Sequence, residues 1–176
     1  MDIAELLVDA FGRIQGMVHR AVAGLTPSDL AFRPDPQANS IAWLVWHLTR
    51  IQDDHLADVA GTEQVWTAQR WVDRFALPFA TEATGYGQTS DEVGVVRAGV
   101  DELLGYSDAV HEATVRFVSG LRPADLDRVV DESWDPPVTL GVRLVSVVND
   151  NSAHAGQAAY VRGLLERRPE SPDGAG

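Results

Sequence analysis

Twice in this chain a long apolar stripe at three- and four-residue steps runs into the phrase Leu-x-Pro-x-Asp-Leu, crosses a proline-containing linker and resumes as a second stripe. That spacing is one face of an amphipathic helix. The first copy opens with a helix over roughly Ile3 to Ala23, carried by Leu6, Leu7, Ala10, Phe11, Ile14, Met17 and Val18. Gly24 and the run Leu25-Thr26-Pro27-Ser28-Asp29-Leu30 stop it. After the linker DPQANS, a second helix is predicted from about Ser40 to Val59, with Asn39 and Ser40 as candidate caps and Ile41, Leu44, Val45, Leu48, Ile51 and Leu56 as its stripe. The second copy opens with a third helix from about Ser90 to Gly120, capped by Ser90, and reaches Leu121-Arg122-Pro123-Ala124-Asp125-Leu126. WDPPVTLG then leads to a fourth helix from about Leu140 to Arg167, which Pro169 ends. The phrase alone is a common helix stop, but the elements on both sides also match. The expectation is therefore an all-α fold, a four-helix bundle with an approximate internal twofold repeat.

One stretch breaks the repeat. Between the second and third helices, Gly61 to Thr89 holds Trp66, Trp71, Phe75, Phe79 and Tyr86 among Pro78, Gly85 and Gly87. A connection this long is unusual in a compact domain unless it covers something. It reads either as a loop packing its own aromatics on the bundle or as a lid over a pocket, and the two are compatible. Residues 1–168 are expected to form one domain and 169–176, PESPDGAG, a disordered tail.

Composition excludes several functions. The chain has 26 acidic residues against 14 basic ones, a net charge of −12, and such a surface repels nucleic acid and anionic membranes. No apolar run is long enough to span a bilayer. The first residues lack a basic segment followed by an apolar one, so no signal peptide is expected and the location expected is the cytoplasm. Cysteine is absent, which removes disulfides, thiolate ligands and cysteine nucleophiles together. All the basic residues are arginine, a mark of GC-rich coding.

Chemistry must therefore come from histidines and carboxylates. His47 lies four residues after Trp43, on the same face of the second helix as Leu44 and Ile51. His154 lies four residues after Asp150, which puts the two side chains about 5–6 Å apart at Cβ on one face of the fourth helix. A bundle that turns these two helices toward each other would gather His47, Asp150 and His154. Two nitrogens and an oxygen suit Zn, Ni or ferrous iron, with a position left for water or substrate. Asp-x-x-x-His by itself equally describes a surface ion pair or a core hydrogen bond, but Asn149, Asn151 and Ser152 make this stretch unusually polar for the middle of a bundle helix. His55 is two turns from His47, about 12 Å of rise, too far to share an ion. With Asp53, Asp54 and Asp58 beside it, it reads as a solvated end of the helix. His19 and His111 have no spaced partner and read as structural.

Two segments carry a family resemblance: Ser40-Ile41-Ala42-Trp43-Leu44-Val45-Trp46-His47-Leu48 and Asp150-Asn151-Ser152-Ala153-His154-Ala155-Gly156-Gln157. In this order and spacing, and with the Leu-x-Pro-x-Asp-Leu turns, the chain resembles the DinB/YfiT-like family of four-helix bundles over nearly its whole length. The resemblance implies metal-ligand roles for His47 and His154. Asp150 stands where the family more often has histidine or glutamate. Members with a known activity use a low-molecular-weight thiol, as in mycothiol-dependent maleylpyruvate isomerase and bacillithiol or mycothiol S-transferases. The arginine-only composition fits a GC-rich actinobacterium, and mycothiol is the thiol of that group.

What this implies is a divalent-metal-dependent thiol S-transferase acting on a small electrophile, with mycothiol as cosubstrate. Trp43 and Trp46 would wall the pocket, Gly156 would allow close helix contact, Gln157 would be a hydrogen-bond donor behind His154, and Arg162 would meet an acidic group of the thiol. Ordinary bundle polarity accounts for Gln157 and Arg162 equally well. The competing expectation is a bundle without catalysis that binds a metal or small ligand, or forms a homodimer. No catalytic acid, base or nucleophile is assigned.

Overall fold

The computed structural model describes residues 1–168; the tail expected over 169–176 lies outside the described residues. Four long helices dominate: α1 (Ile3–Val22), α3 (Ile41–Ala60), α7 (Val100–Val118) and α8 (Leu140–Glu166). Each starts on the local chemistry that frees a helix from its first unpaired amides. Asp2 and Glu5 form a reciprocal capping box on α1, Ser40 accepts from the Trp43 amide on α3, and Thr139 accepts from the Val142 amide on α8. α3 ends at Gly61, whose φ of 67° is the left-handed cap that glycine adopts without a Cβ penalty.

The helices form a ring in the order α1, α7, α3, α8, with α1 and α3 on one diagonal. Exchanging α1 with α7 and α3 with α8 maps this pattern of neighbours onto itself, the approximate twofold relation that the repeated sequence predicts. The two Leu-x-Pro-x-Asp-Leu phrases take matching roles: Pro27–Leu30 is a single helical turn, α2, and Pro123–Asp127 is a 3₁₀ turn. Asp29 and Asp125 each accept the backbone amide three residues back.

Three elements depart from the sequence expectation. The third helix is two helices. α6 (Ser90–Val95) is capped by Thr89 rather than Ser90, and the chain then extends until Gly99 before α7 starts. Arg33 fixes the start of α6. Its guanidinium bonds the Ser90 carbonyl and hydroxyl, pinning α6 to the linker before α3. The second linker also carries a short antiparallel ribbon, β1 (Val129–Asp131) with β2 (Val138–Thr139), too brief for a period-two pattern to reveal. Finally, α3 is not amphipathic. Its buried residues run around the whole helix and include Thr49, Arg50, Gln52 and Asp53.

The cause is the segment 61–89, which lies against α3 and α7. It contains α4 (Val65–Ala68) and α5 (Trp71–Phe75). Trp66, Trp71 and Phe75 close around Tyr106 of α7 at ring separations of 5.1, 5.9 and 5.9 Å. Covered by this layer as well as by α7 and α8, α3 is buried on all sides over residues 41–50 and meets water only in its last turns, at Asp54, His55 and Asp58. Apolar packing divides into two clusters. One holds Val18, Leu44, Trp46, Leu103 and Val161 with the aromatics of 61–89; the other holds Leu7, Phe11, Ile14, Leu56, Val118, Leu140 and Leu144.

Candidate metal centre

α3 and α8 run antiparallel. Pairs across their contact show it: His47 with His154, Gln52 with Asn151, His55 with Arg143. On this seam His47, Asp150 and His154 each offer a ligand atom, and the three atoms lie within 4.8 Å of one another. His154 Nε2 and Asp150 Oδ1 are 3.5 Å apart. Ligand atoms on a tetrahedral ion with bonds of about 2.1 Å are separated by about 3.4 Å, so this pair already has that spacing. The imidazoles of His47 and His154 meet edge to face at 4.8 Å.

Hydrogen bonds set the tautomers. His47 Nδ1 is 2.6 Å from the Thr84 carbonyl oxygen, which only accepts, so Nδ1 carries the proton and Nε2 keeps its lone pair. His154 Nδ1 donates to Gln157 Oε1 at 2.9 Å, which leaves Nε2 as the ring atom that faces Asp150. Gln157 thus stands behind His154 as expected, but as an acceptor: a ring N–H aimed at it leaves no other role for the amide oxygen. Both bonds are the outer partners that hold a ligating imidazole in one orientation.

Electrostatics suit a cation. His47 is 5% exposed, and burial pushes its imidazole below the ordinary value while the Thr84 carbonyl pulls the other way. The hydrogen bond to Asp150 holds His154 above that value against its own burial. Burial pushes the Asp150 carboxyl up, but the bond to His154 and the charges of His154 and His47 bring it below the usual carboxylate range. Asp150 Oδ2 is buried and has no hydrogen-bond partner. An ionised oxygen withdrawn from water without a donor is costly. A divalent ion that took both oxygens of Asp150 would satisfy it.

Trp43 stacks on the His47 ring at 4.6 Å and 13°, and its indole N–H donates to Gln88 at 2.7 Å. Trp46 is buried next to Phe79, its indole nitrogen unpartnered. The chain 84–88 presses on all three rings. At Gly85 (φ +92°) a Cβ would fall 2.8 Å from His47 Nδ1, 3.0 Å from Trp46 and 3.2 Å from Trp43. Only glycine lets the backbone come so close. The long connection therefore packs its aromatics on the bundle, as the first of its two readings expects, and lays its backbone over His47.

Two expected residues stand elsewhere. Arg162 is not at the centre. Its Nη1 donates to the Arg20 and Ala23 carbonyls at 2.7 Å each and its Nε to Glu166, so the guanidinium is spent on the unpaired C-terminal carbonyls of α1. Gly156 makes no close helix contact; it faces outward, with no atom within 4 Å of an added Cβ. The end of α3 also differs from its reading. His55 is half-buried and its Nδ1 accepts from Arg143 at 3.1 Å.

Asp53, read as solvated, is 3% exposed. It accepts from the Val65 and Trp66 amides and from the Tyr106 hydroxyl, each at 2.8 Å. Arg50, fully buried one turn earlier, donates to Gln64, Tyr106 and the Ala83 carbonyl, and lies 3.7 Å from Asp53. The Arg-x-x-Asp spacing was the available signal for this network. Nothing local marked it as buried, because its cover comes from a loop.

Comparison with known proteins agrees with this architecture. A crystal structure of a conserved protein of its locus from Enterococcus faecalis superposes with a TM-score of 0.88 at 30% identity, over 96% of this chain and 99% of that one. No curated protein matches the sequence significantly. A family model described as mycothiol-S-transferase matches residues 6–167, which include His47, Asp150, His154 and the segment that covers His47. By that match the chain belongs to the mycothiol-S-transferase family.

Proposed function

We propose that the protein transfers a low-molecular-weight thiol of the mycothiol type to a small electrophile, at a divalent-metal centre held by His47, Asp150 and His154. The observation that carries this is the convergence of ligand atoms of His47, Asp150 and His154 within 4.8 Å of one another on the seam of α3 and α8, with the second oxygen of the Asp150 carboxylate buried and unpartnered. Bound there, a Zn, Ni or ferrous ion would supply a Lewis acid that keeps a thiol deprotonated at neutral pH.

The side chains supply the rest. Thr84 and Gln157 hold the rings of His47 and His154 in one orientation. Asp150 contributes the negative charge that favours a dication over a proton. Trp43 closes one side of His47 as a flat apolar wall. Beyond Gln157 an open groove of about 490 Å³, lined by Leu44, Tyr160 and the linker 34–39, offers room for a small organic partner. In the reaction the thiol sulfur forms a bond to an electrophilic carbon, the sulfhydryl proton passes to solvent, and the leaving group departs with its electron pair.

The test is metal analysis of protein purified without a histidine tag, followed by turnover of a generic electrophile with mycothiol. The proposal expects one divalent ion per chain and thiol-dependent loss of the electrophile. An ion without turnover would favour a binding module, and no ion would remove the centre.

A further inference from the structure

The metal centre takes His47 from α3, yet the group that orients His47 is a loop carbonyl, and a carbonyl on a loop is only as fixed as what holds the loop. The Thr84 peptide is held on one side by Gly85, wedged against His47, Trp46 and Trp43. On the other side the neighbouring Ala83 carbonyl accepts from Arg50 Nε at 3.1 Å. Arg50 is itself immobilised. It is fully buried, its Nη1 bonds Gln64 at 2.8 Å and the Tyr106 hydroxyl at 3.2 Å, and its guanidinium lies 5.0 Å from the Trp66 ring. Tyr106 donates in turn to Asp53, which accepts the two amides that start α4. The Trp66 indole then donates to the Thr81 carbonyl, two residues before Ala83. One charged pair on α3 thus holds both ends of the covering segment.

Such a device exceeds what packing requires. A buried ion pair is often replaceable by apolar residues with no loss of stability. This one aims a donor at the single peptide whose next carbonyl sets a ligand's tautomer. We propose that Arg50 is a positioning residue for the metal centre: by holding the Ala83 carbonyl it places the Thr84 carbonyl against His47 and keeps the His47 Nε2 lone pair free to ligate. Arg50 never touches the ion. It acts through one peptide unit. The inference rests on the metal-centre reading above.

Arg50→Lys keeps the charge but cannot bond Ala83, Gln64 and Tyr106 from a fixed fork. Two readouts separate positioning from mere stability. The first is nitrogen-15 NMR of His47 in the metal-free protein. The wild type should show the Nδ1–H tautomer alone, and Arg50→Lys a mixture of both. The second is Zn affinity by competition with a chromophoric chelator, which should fall about 10-fold or more, the usual effect of losing an outer partner of a ligand. Val118→Ala, in the other apolar cluster, serves as the control: it should lower thermal stability and leave both readouts as in the wild type. If Arg50→Lys does not fold, Tyr106→Phe keeps the ring packing, deletes only the hydroxyl that anchors Arg50 and should move both readouts the same way.

An unchanged tautomer and unchanged affinity in a folded Arg50→Lys protein, or in Tyr106→Phe where Arg50→Lys fails to fold, would overturn the role of Arg50 while leaving the metal centre intact. A wild-type protein that binds no Zn would overturn the centre itself. The tautomer, measured without metal, tells the two failures apart.

Discussion

Asp150 is the residue on which the centre turns, because its Oδ2 has no partner without an ion. Asp150→Asn keeps the shape and removes the charge. Metal affinity should then fall by more than the roughly 10- to 100-fold typical of losing an outer partner, and His154→Ala should abolish binding. Asp150→His should bind at least as well as the wild type if the longer ring fits. Metal content measured after gel filtration checks all three, and equal content in wild type, Asp150→Asn and Asp150→His would take Asp150 out of the site. The acid response has a definite sign. An imidazole ligates only when neutral. Its bond to Asp150 holds His154 above the ordinary imidazole value, whereas burial holds His47 below it. Protons therefore compete with the ion first at His154, and affinity should weaken as pH falls through the range above the ordinary imidazole value. Zn titrations at stepped pH would show it, and an affinity flat across that window would contradict a ligating His154.

The site was legible from the sequence where it depended on helix spacing. His47 beside Trp43, and Asp150 one turn before His154, follow from the 3.6-residue period, and the seam does bring them together. What the period could not supply was the contribution of elements with no period. Thr84, Gly85 and Gln88 come from the covering segment, and the partners of His47 and Trp43 could not be named until that segment was seen folded against α3. Asp53 was misread for the same reason. An acidic cluster near a helix end looks solvated unless something distant covers it, and here the cover starts 12 residues away, at the Val65 amide. Removing it should be costly. Asp53→Ala strands Arg50 without its carboxylate and orphans two amides, and losing one partner of a buried pair costs about 3–5 kcal/mol. Urea unfolding would read the difference, and a loss below about 1 kcal/mol, the range of exposed pairs, would mean that Arg50 and Asp53 are not coupled.

At the scale of the whole molecule, the bundle and its doubled pattern were readable because four long stripes and two stop phrases of one pattern leave few ways to bury the apolar faces. The break between α6 and α7 was not, since Val93, Val96 and Val100 keep a helical spacing across it. Charge makes its own statement at this scale. With a net charge of −12 the surface gives phosphates nothing to neutralise, so no binding to duplex DNA is expected at physiological salt. A mobility-shift titration checks it, and tight, salt-sensitive association would overturn the expectation. Among the described residues no helix is long and apolar enough to cross a membrane.

The ligands come from two helices that run in opposite directions, so an ion held by them is also a rivet. Unfolding must pull α3 from α8 and let the ion go. Every ligand-bound molecule is therefore withdrawn from the pool that can unravel, by mass action. At a free metal concentration about 100 times the dissociation constant, that linkage adds about 2.7 kcal/mol to the folded state. Chelation should accordingly lower the melting temperature of the wild type and leave that of His154→Ala where it was. A wild-type melting temperature indifferent to chelator would mean that nothing fastens the two helices at this seam. A melting temperature that falls with chelator would instead link durability to reactivity: conditions that strip the ion from the protein would also shorten the life of the chain that carries it.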